Sequence, residues 1–251
     1  MDDARDAAGK LRTLWDDAAH VVAFTGAGAS AASGVPTYRG AGGSWTRYDP
    51  NRYASIDYFR QDPTYYFRFF RDERYPTLID ASPNPVHHTL AALERAGKLA
   101  AVVTQNIDGL HRAAGSKRVL ELHGNTRQFC CEACGEMQDF QVVRSRIDEA
   151  IPPECPACGQ PALRPDVVLF GEALPVDVLD AAAEEMDQAD LVVVVGSSLV
   201  VHPAASLPLA AVRRGAKLAI LNIDPTPLDG EADLLVATPA DRVLPRLLDD
   251  E

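Results

Sequence analysis

Lysine is scarce in this chain. Only Lys10, Lys98, Lys117 and Lys217 occur, so arginine carries almost all of the positive charge. Positive charge is itself in deficit: 24 Lys and Arg stand against 36 Asp and Glu, a formal net charge of −12. A surface of that sign repels phosphates, which argues against a duplex-DNA binder. It suits a basic partner, and it also serves solubility alone. An acidic, lysine-poor composition is that of a salt-rich cytoplasm or a high-GC genome.

Long apolar runs are lacking too. No stretch approaches the roughly 20 apolar residues needed to span a bilayer. The opening stretch MDDARDAAGKLRTLWDDAAH is charged and acidic, unlike a secretory leader. It predicts an amphipathic helix with Leu11, Leu14 and Trp15 on one side. A cytoplasmic protein with no membrane partner is expected. No internal repeat and no low-complexity tract interrupts the chain.

What is present is an alternation. Val21–Phe24, Ala101–Thr104, Leu191–Val195 and Leu218–Ile223 are short apolar runs rich in β-branched residues, each leading into a glycine or a polar cluster. Such runs suit strands of a parallel sheet buried on both faces. Helical stretches separate them at Pro85–Gly97, Val176–Ala189 and Ala204–Gly215. This predicts an α/β fold with a doubly wound, Rossmann-like parallel sheet. With 251 residues, 47% of them hydrophobic, the chain suffices for one large domain or for one carrying a smaller inserted module. Two segments break the rhythm and read as insertions. Residues from about 41 to 84 are rich in Tyr, Phe and Arg, with proline breaks at Pro50, Pro63 and Pro76; residues from about 126 to 164 hold all five cysteines.

Cys131 and Cys134 form one C-x-x-C pair and Cys155 and Cys158 another, with 20 residues between the pairs. Two-residue spacing lets both thiolates of a pair reach one ion at about 2.3 Å in tetrahedral geometry. Gly135 and Gly159 each follow the second cysteine, where a tight turn needs freedom in φ. Cys130 stands outside this spacing. Free buried thiols or disulfides are the other readings, and a cytosolic setting disfavours disulfides. Four sulfur ligands leave no open position, so one structural Zn2+ is predicted. A zinc ribbon also serves nucleic-acid binding in general, but the acidic surroundings argue against it here.

Gly26, Gly28 and Ala31 match the dinucleotide pattern G-x-G-x-x-A after a strand. Glycines let the backbone approach a pyrophosphate, and backbone N–H groups meet its charge. By itself the motif is weak. The acidic residue expected about 20 positions on is missing, which strains a plain dehydrogenase reading. Four more polar clusters follow apolar runs: QNIDGLH from Gln105, ELHGN from Glu121, GSS from Gly196 and NID from Asn222. Ligands in open α/β folds bind at the carboxyl ends of strands, so these clusters together predict a deep polar pocket.

With these residues in hand, the chain resembles the sirtuins, NAD-dependent protein-lysine deacylases, here of prokaryotic type. The segments that carry the resemblance are GAGASAASGVPTYRG, TQNIDGLH, ELHGN, the four cysteines, RPDVVLFGE and GSSLVVHPAASLP, spread from about residue 20 to 245. The resemblance implies a Rossmann-like NAD-binding domain over residues 1–40, 99–125 and 165–251. It implies a cofactor-binding loop with a helical insertion over 41–98, and a zinc-ribbon module over 126–164. It also implies NAD as co-substrate and acetylated protein lysines as partners. The acetyl-lysine oxygen would attack C1′ of the nicotinamide ribose to give an alkylimidate. The products would be nicotinamide, 2′-O-acetyl-ADP-ribose and deacetylated protein.

Residue roles follow from the same resemblance. His123 would be the general base; histidine suits the task because its unperturbed pKa lies near neutrality. Alone it would be no better a candidate than His20, His87, His88, His111 or His202. Asn106 and Asp108 would serve the ribose and the nicotinamide carboxamide, although either alone reads equally as turn chemistry. Gly26, Ala27, Gly28 and Ala31 would meet the pyrophosphate. Tyr38 and Arg39 lie in the loop that would close over the ribose and nicotinamide. Gln105 and Ile107 would line the nicotinamide-ribose end, while Gly196, Ser197, Ser198, Asn222, Ile223 and Ala240 would hold the adenosine half. Val168 and Phe170 would flank the acyl-lysine tunnel, with extended backbone there pairing with the substrate as an added strand.

The chain departs from the usual family pattern at Ala29, Tyr38, Ser197 and His202; Tyr38 stands where phenylalanine is usual. Relatives that prefer succinyl-lysine carry a tyrosine and, three positions on, an arginine in the helical insertion. Phe70 and Glu73 occupy those places here. An acidic residue would repel an acidic acyl group, so acetyl is expected over succinyl by at least about tenfold. A mono-ADP-ribosyltransferase on the same scaffold, a deacylase for other acyl groups and a non-catalytic NAD- or peptide-binding module are the alternatives.

Overall fold

The computed structural model describes residues 3–40 and 42–249. Its apolar runs become β1 (Val21–Thr25), β2 (Ala101–Thr104), β7 (Leu191–Val195) and β8 (Lys217–Leu221). Short edge strands join them: β3 (Val119–Glu121) and β9 (Leu234–Val236). All pair in parallel in the order β3-β2-β1-β7-β8-β9. Every residue of β1, β2 and β7 is buried, because helices cover both faces of the sheet. The sheet is therefore doubly wound, and the chain turns back at the β1–β7 seam, where ligands of such folds bind.

One face packs on Leu11 and Trp15 of the helix Asp3–Asp16 and on Val86, Leu90 and Leu93 of the helix Pro85–Arg95. The other packs on the helices Val176–Gln188 and Ser206–Arg213 through Ala182, Met186, Leu207 and Ala211. Two of the boundaries that differ from expectation have a local cause. β8 stops at Leu221, because Asn222 Nδ2 donates to the Asp224 carbonyl at 2.6 Å and turns the chain, leaving Ile223 66% exposed. The helix expected from Ala204 starts at Ser206, because Ala204 and Ala205 lie in a turn closed by the Ala205 N–H on the Val201 carbonyl.

The two insertions share a third core. The first is a series of short helices, Pro50–Tyr53, Ile56–Gln61, Thr64–Phe69 and Tyr75–Asp80, with a π-helical turn over Phe70–Arg74. Its three prolines stand at or beside helix starts, where a missing N–H costs nothing. The second is a three-stranded antiparallel sheet, order β5-β4-β6, of β4 (Gly124–Cys131), β5 (Met137–Asp139) and β6 (Leu163–Val167). Phe67 and Phe70 pack with Phe129, Cys131, Ile147 and Leu163, so the insertions form one smaller body. No described helix is long and apolar enough to cross a membrane.

Candidate active site

The seam between β1 and β7 is built from glycine against glycine. The Gly26 N–H donates to the Val195 carbonyl at 3.0 Å and the Gly28 N–H to the Gly196 carbonyl at 2.9 Å. A Cβ on Gly28 would lie 2.6 Å from the Gly196 Cα, and Gly196 itself has φ +61°. The motif glycines are thus demanded by the neighbouring loop before any ligand arrives. After them the chain forms a 3-10 helix, Ala27–Ser33, rather than the long α-helix of an ordinary dinucleotide turn.

One pocket opens above this seam, between the sheet and the smaller body. Its walls include Gly26, Ala27, Gly28 and Ala31 of the turn and Tyr38 and Arg39 of the following loop. Gln105, Asn106 and Ile107 join from the end of β2, and His123 from beyond β3. Gly196, Ser197, Ser198, Asn222, Ile223 and Ala240 close the far end, and Val168 and Phe170 line the side below β6. Asp108 lies apart, beside a smaller cavity shared with Ala27, Asn106 and Ile107.

His123 is oriented by one hydrogen bond, Nδ1 to the Gln105 carbonyl at 3.0 Å. A carbonyl only accepts, so Nδ1 carries the proton and Nε2 presents its lone pair. Burial pushes the imidazole pKa below its ordinary value, opposed by that backbone bond. The ring is therefore neutral at pH 7 and can accept a proton at Nε2, as a general base must.

Behind it lies a buried polar relay. Asn106 Nδ2 donates to the Gly26 carbonyl at 3.0 Å and to Ser30 Oγ at 3.1 Å. Ser30 Oγ donates to Asp108 Oδ2 at 2.7 Å, and the Leu110 N–H to Asp108 Oδ1 at 2.9 Å. His87 Nδ1 accepts from the Asn84 N–H at 3.1 Å, so its Nε2 carries hydrogen toward Ser30 Oγ, 3.3 Å away. Gln105 Nε2 donates to Ser197 Oγ at 2.8 Å, tying the clusters after β2 and β7 together. Asp108 is fixed on both oxygens, while Asn106 keeps its carbonyl oxygen free of protein donors among the described residues.

Three findings depart from expectation. The backbone of Val168–Phe170 is largely committed: Val168 N–H donates to the His123 carbonyl at 2.9 Å, and Phe170 N–H to the Ala54 carbonyl at 2.8 Å. The Phe170 carbonyl accepts from Ile56 N–H at 3.0 Å. An added strand cannot use those groups without displacing the insertion. Second, Glu73 does not line the pocket: Arg47 Nη2 and Tyr48 Oη donate to its carboxylate at 2.9 and 2.6 Å. Third, an aromatic wall of Trp45, Tyr66, Phe69 and Phe70, with Arg74, lines the pocket instead. The richness of residues 41–84 in Tyr, Phe and Arg was the only sequence signal for that wall, because the helix faces depend on the π turn.

The four cysteine sulfurs lie within 4.8 Å of one another, with Cys131 Sγ 3.7 Å from Cys158 Sγ and Cys134 Sγ 3.8 Å from Cys155 Sγ. A tetrahedral ion at about 2.3 Å from each sulfur requires separations of about 3.8 Å, so the donor set fits Zn2+. Gly135 and Gly159 have φ +76° and +73°, and their N–H groups donate to the Cys131 and Cys155 carbonyls, each at 2.8 Å. Cys130 Sγ points to the Cys131 carbonyl, outside the cluster.

The Sir2 family model matches residues 26–203. An NAD-dependent protein deacetylase of Sulfurisphaera tokodaii is 46% identical over 241 residues, covering 96% of this chain and 94% of that protein. The structure of a Sir2 variant with a deacetylated p53 peptide and 3′-O-acetyl ADP-ribose is similar at TM-score 0.91 and 39% identity, covering 96% of each chain. A Sir2 complex with a p53 peptide and NAD+ is similar at TM-score 0.88 and 39% identity, covering 95% of this chain and 96% of that one.

Proposed function

This chain belongs to the Sir2 family, the sirtuins, and we infer that it is an NAD-dependent protein-lysine deacetylase. It transfers the acetyl group of acetyl-lysine to ADP-ribose, releasing nicotinamide, 2′-O-acetyl-ADP-ribose and deacetylated protein. NAD is the co-substrate, and a Zn2+ held by Cys131, Cys134, Cys155 and Cys158 is structural. With all four positions filled by sulfur, the metal orders the smaller body and takes no part in the reaction.

The observation that carries the site assignment is the bare Nε2 of a neutral, half-buried His123 on the pocket wall. His123 takes the proton from a ribose hydroxyl and passes none back through its Nδ1–H, which the Gln105 carbonyl holds in place. Asn106 offers its free carbonyl oxygen to a ribose hydroxyl, and Asp108 fixes the turn that carries Ile107 beside the nicotinamide. Tyr38 and Arg39 cover the nicotinamide and ribose. Backbone N–H groups around Gly26, Ala27, Gly28 and Ala31 meet the pyrophosphate. Gly196, Ser197, Ser198, Asn222, Ile223 and Ala240 hold the adenosine half.

The acetyl-lysine enters beside Val168 and Phe170. Its peptide pairs with the backbone of Gly171 on one side and Val200 on the other, neither of which has a backbone partner among the described residues. We assign residues 1–40, 99–125 and 165–251 to NAD binding, 41–98 to the cofactor loop and helical insertion, and 126–164 to the zinc ribbon. A cytoplasmic location accords with a thiol cluster that needs a reducing compartment.

Mass spectrometry on an acetylated peptide with NAD tests this reading. The expected products are nicotinamide, the free-lysine peptide and acetyl-ADP-ribose in equal amounts. Nicotinamide release that ignores the peptide, with ADP-ribose appearing on protein, would replace it by a mono-ADP-ribosyltransferase.

A further inference from the structure

The segment that carries Tyr38 is tied to itself and, by side chains alone, to the helical insertion. The Ser44 N–H donates to the Thr37 carbonyl at 2.9 Å and the Trp45 N–H to the Tyr38 carbonyl at 3.0 Å. Tyr38 and Trp45 thus form one unit, with ring centres 5.1 Å apart. Residues 37–40 and 42–48 make no backbone–backbone hydrogen bond outside themselves among the described residues. Their hydrogen bonds to the rest of the described chain run from Arg47 Nη2 and Tyr48 Oη, at 2.9 and 2.6 Å, and both end on the Glu73 carboxylate. That bond raises the Tyr48 pKa, so the phenol remains a donor.

The next residue of the insertion holds the other end. Phe70–Arg74 is a π turn, which closes i→i+5 and widens the helix. Arg74 is only 6% exposed, and its Nη2 has no hydrogen-bond partner among the described residues. The neighbouring carboxylate, Glu73, is spent on Arg47 and Tyr48. What faces the buried guanidinium is the Tyr38 ring, with its centre 4.0 Å from the guanidinium carbon. A cation–π contact strengthens when both groups are withdrawn from water. Between the two ties, Phe69 stacks on Trp45 at 5.8 Å and meets Tyr48 edge-on at 5.0 Å.

We propose that Arg74 and Glu73 are positioning residues that fix Tyr38 over the pocket before NAD arrives, Arg74 through the Tyr38 ring and Glu73 through Arg47 and Tyr48. This rests on the reading that Tyr38 covers the nicotinamide and ribose, and it adds what holds Tyr38 there. The consequence is thermodynamic. When only a fraction of the free protein has Tyr38 in place, the apparent affinity for NAD falls by that fraction. Once NAD is bound its own contacts hold the segment, so the loss falls on NAD affinity and KM rather than on kcat.

Calorimetry of NAD binding to the zinc-loaded protein, without peptide, gives the first readout. Arg74→Met should weaken NAD about tenfold, since it removes a desolvated cation from an aromatic face. Glu73→Met should weaken it about threefold, as suits a partly exposed ion pair with one further hydrogen bond. Glu73 lies outside the pocket, so its effect reaches NAD only through the segment, and this variant serves if Arg74→Met does not fold. In a Tyr38→Leu background, Arg74→Met should cost less than about twofold more. The second readout is hydrogen exchange of the Ser44 and Trp45 amides by NMR without NAD, which should be slow in the unmodified protein and about tenfold faster in Arg74→Met. Unchanged NAD affinity in both single variants overturns the proposal. So does weaker binding with unchanged exchange, which would make Arg74 a direct NAD contact. Absence of deacetylation by the unmodified protein, with these effects on affinity and exchange intact, overturns the deacetylase reading and leaves the positioning roles standing.

Discussion

Lowering the pH from 7 to 5 should destabilise this protein mainly through two buried histidines. His87 and His111 are 0% and 2% exposed, with ring centres 4.7 Å apart. Both are held neutral. His87 Nδ1 accepts the Asn84 N–H as part of the capping box of the helix Pro85–Arg95, so a proton there would break the cap. Thr25 Oγ1 donates to Thr104 Oγ1 and therefore accepts from His111 Nε2 at 2.9 Å, leaving His111 Nδ1 bare and without a partner. Burial lowers the pKa of His87 to about 4 and that of His111 to about 3.

The sign follows from these shifts. Both folded values lie below the unfolded value of about 6.5, so the unfolded chain takes up protons first as the pH falls. Stability is fully present above that value and is lost from about pH 6.5 down toward the folded values. At pH 5 an unfolded histidine is almost wholly protonated and neither folded one is, which costs about 2 kcal/mol each, about 4 kcal/mol together. That is a large share of a typical 5–15 kcal/mol stability. Glu121, whose pKa burial raises, works in the opposite sense and offsets part of the loss. Urea unfolding of the zinc-loaded protein at pH 7, 6 and 5 and fixed ionic strength measures the loss. In the pair variant His87→Gln with His111→Gln, glutamine at position 87 can still cap and at 111 can still donate to Thr25. Its pH dependence should flatten. A loss under about 1 kcal/mol in the unmodified protein would refute the reasoning, as would an equal loss in the variant, which would point to the zinc thiolates instead.

His123→Ala should abolish product formation, by about 10² to 10⁴ in rate, while NAD binding survives; deacetylation within tenfold of normal by chromatography would show that another group is the base. Removing zinc with a chelator, or making Cys131→Ser, should unfold the smaller body, because Cys131 and Cys155 are buried in one core with Phe67, Phe70 and Phe129. Metal analysis should give one zinc per chain before and none after, and an unchanged melting curve would count against a structural metal. Gly28→Ala should cost about 1–3 kcal/mol, because its methyl would sit 2.6 Å from the Gly196 Cα and force the two loops apart. Thermal unfolding without NAD measures it; a loss seen only in NAD affinity would mean that the glycine serves the ligand alone.

Most of the sheet could be read from the chain, because strands buried on both faces leave an unmistakable record. Leu191–Val195 is five apolar residues in a row, and all five are buried. The edge strands β3 and β9 left no such record, being three residues each and half-exposed in part. The polar clusters were legible for a geometric reason: parallel strands end on one side, so whatever follows them converges. The cysteine pairs were legible because their spacing is a coordination constraint.

The insertion was legible as a helical segment, but which of its side chains face the pocket was not, and the reason is a single turn of helix. Counting from Phe70 by three residues reaches Glu73, and by four reaches Arg74. In a regular α-helix both stand near the same face, so composition alone cannot choose between an anion and a cation in the pocket. The turn Phe70–Arg74 is π-helical, and its wider closure leaves Arg74 inside and Glu73 free to reach Arg47 and Tyr48. Nothing local announces a π turn; Phe67 and Phe70, before and at its start, seat against Phe129 and Leu163, residues from the other insertion. Which charge of the insertion faces the pocket thus goes with packing between two segments far apart in the chain. Changes at Phe67 or Phe129 should alter acyl choice, read as kcat/KM ratios between acyl-lysine peptides, without touching a pocket residue, whereas substitution of Glu73 itself should do little to those ratios.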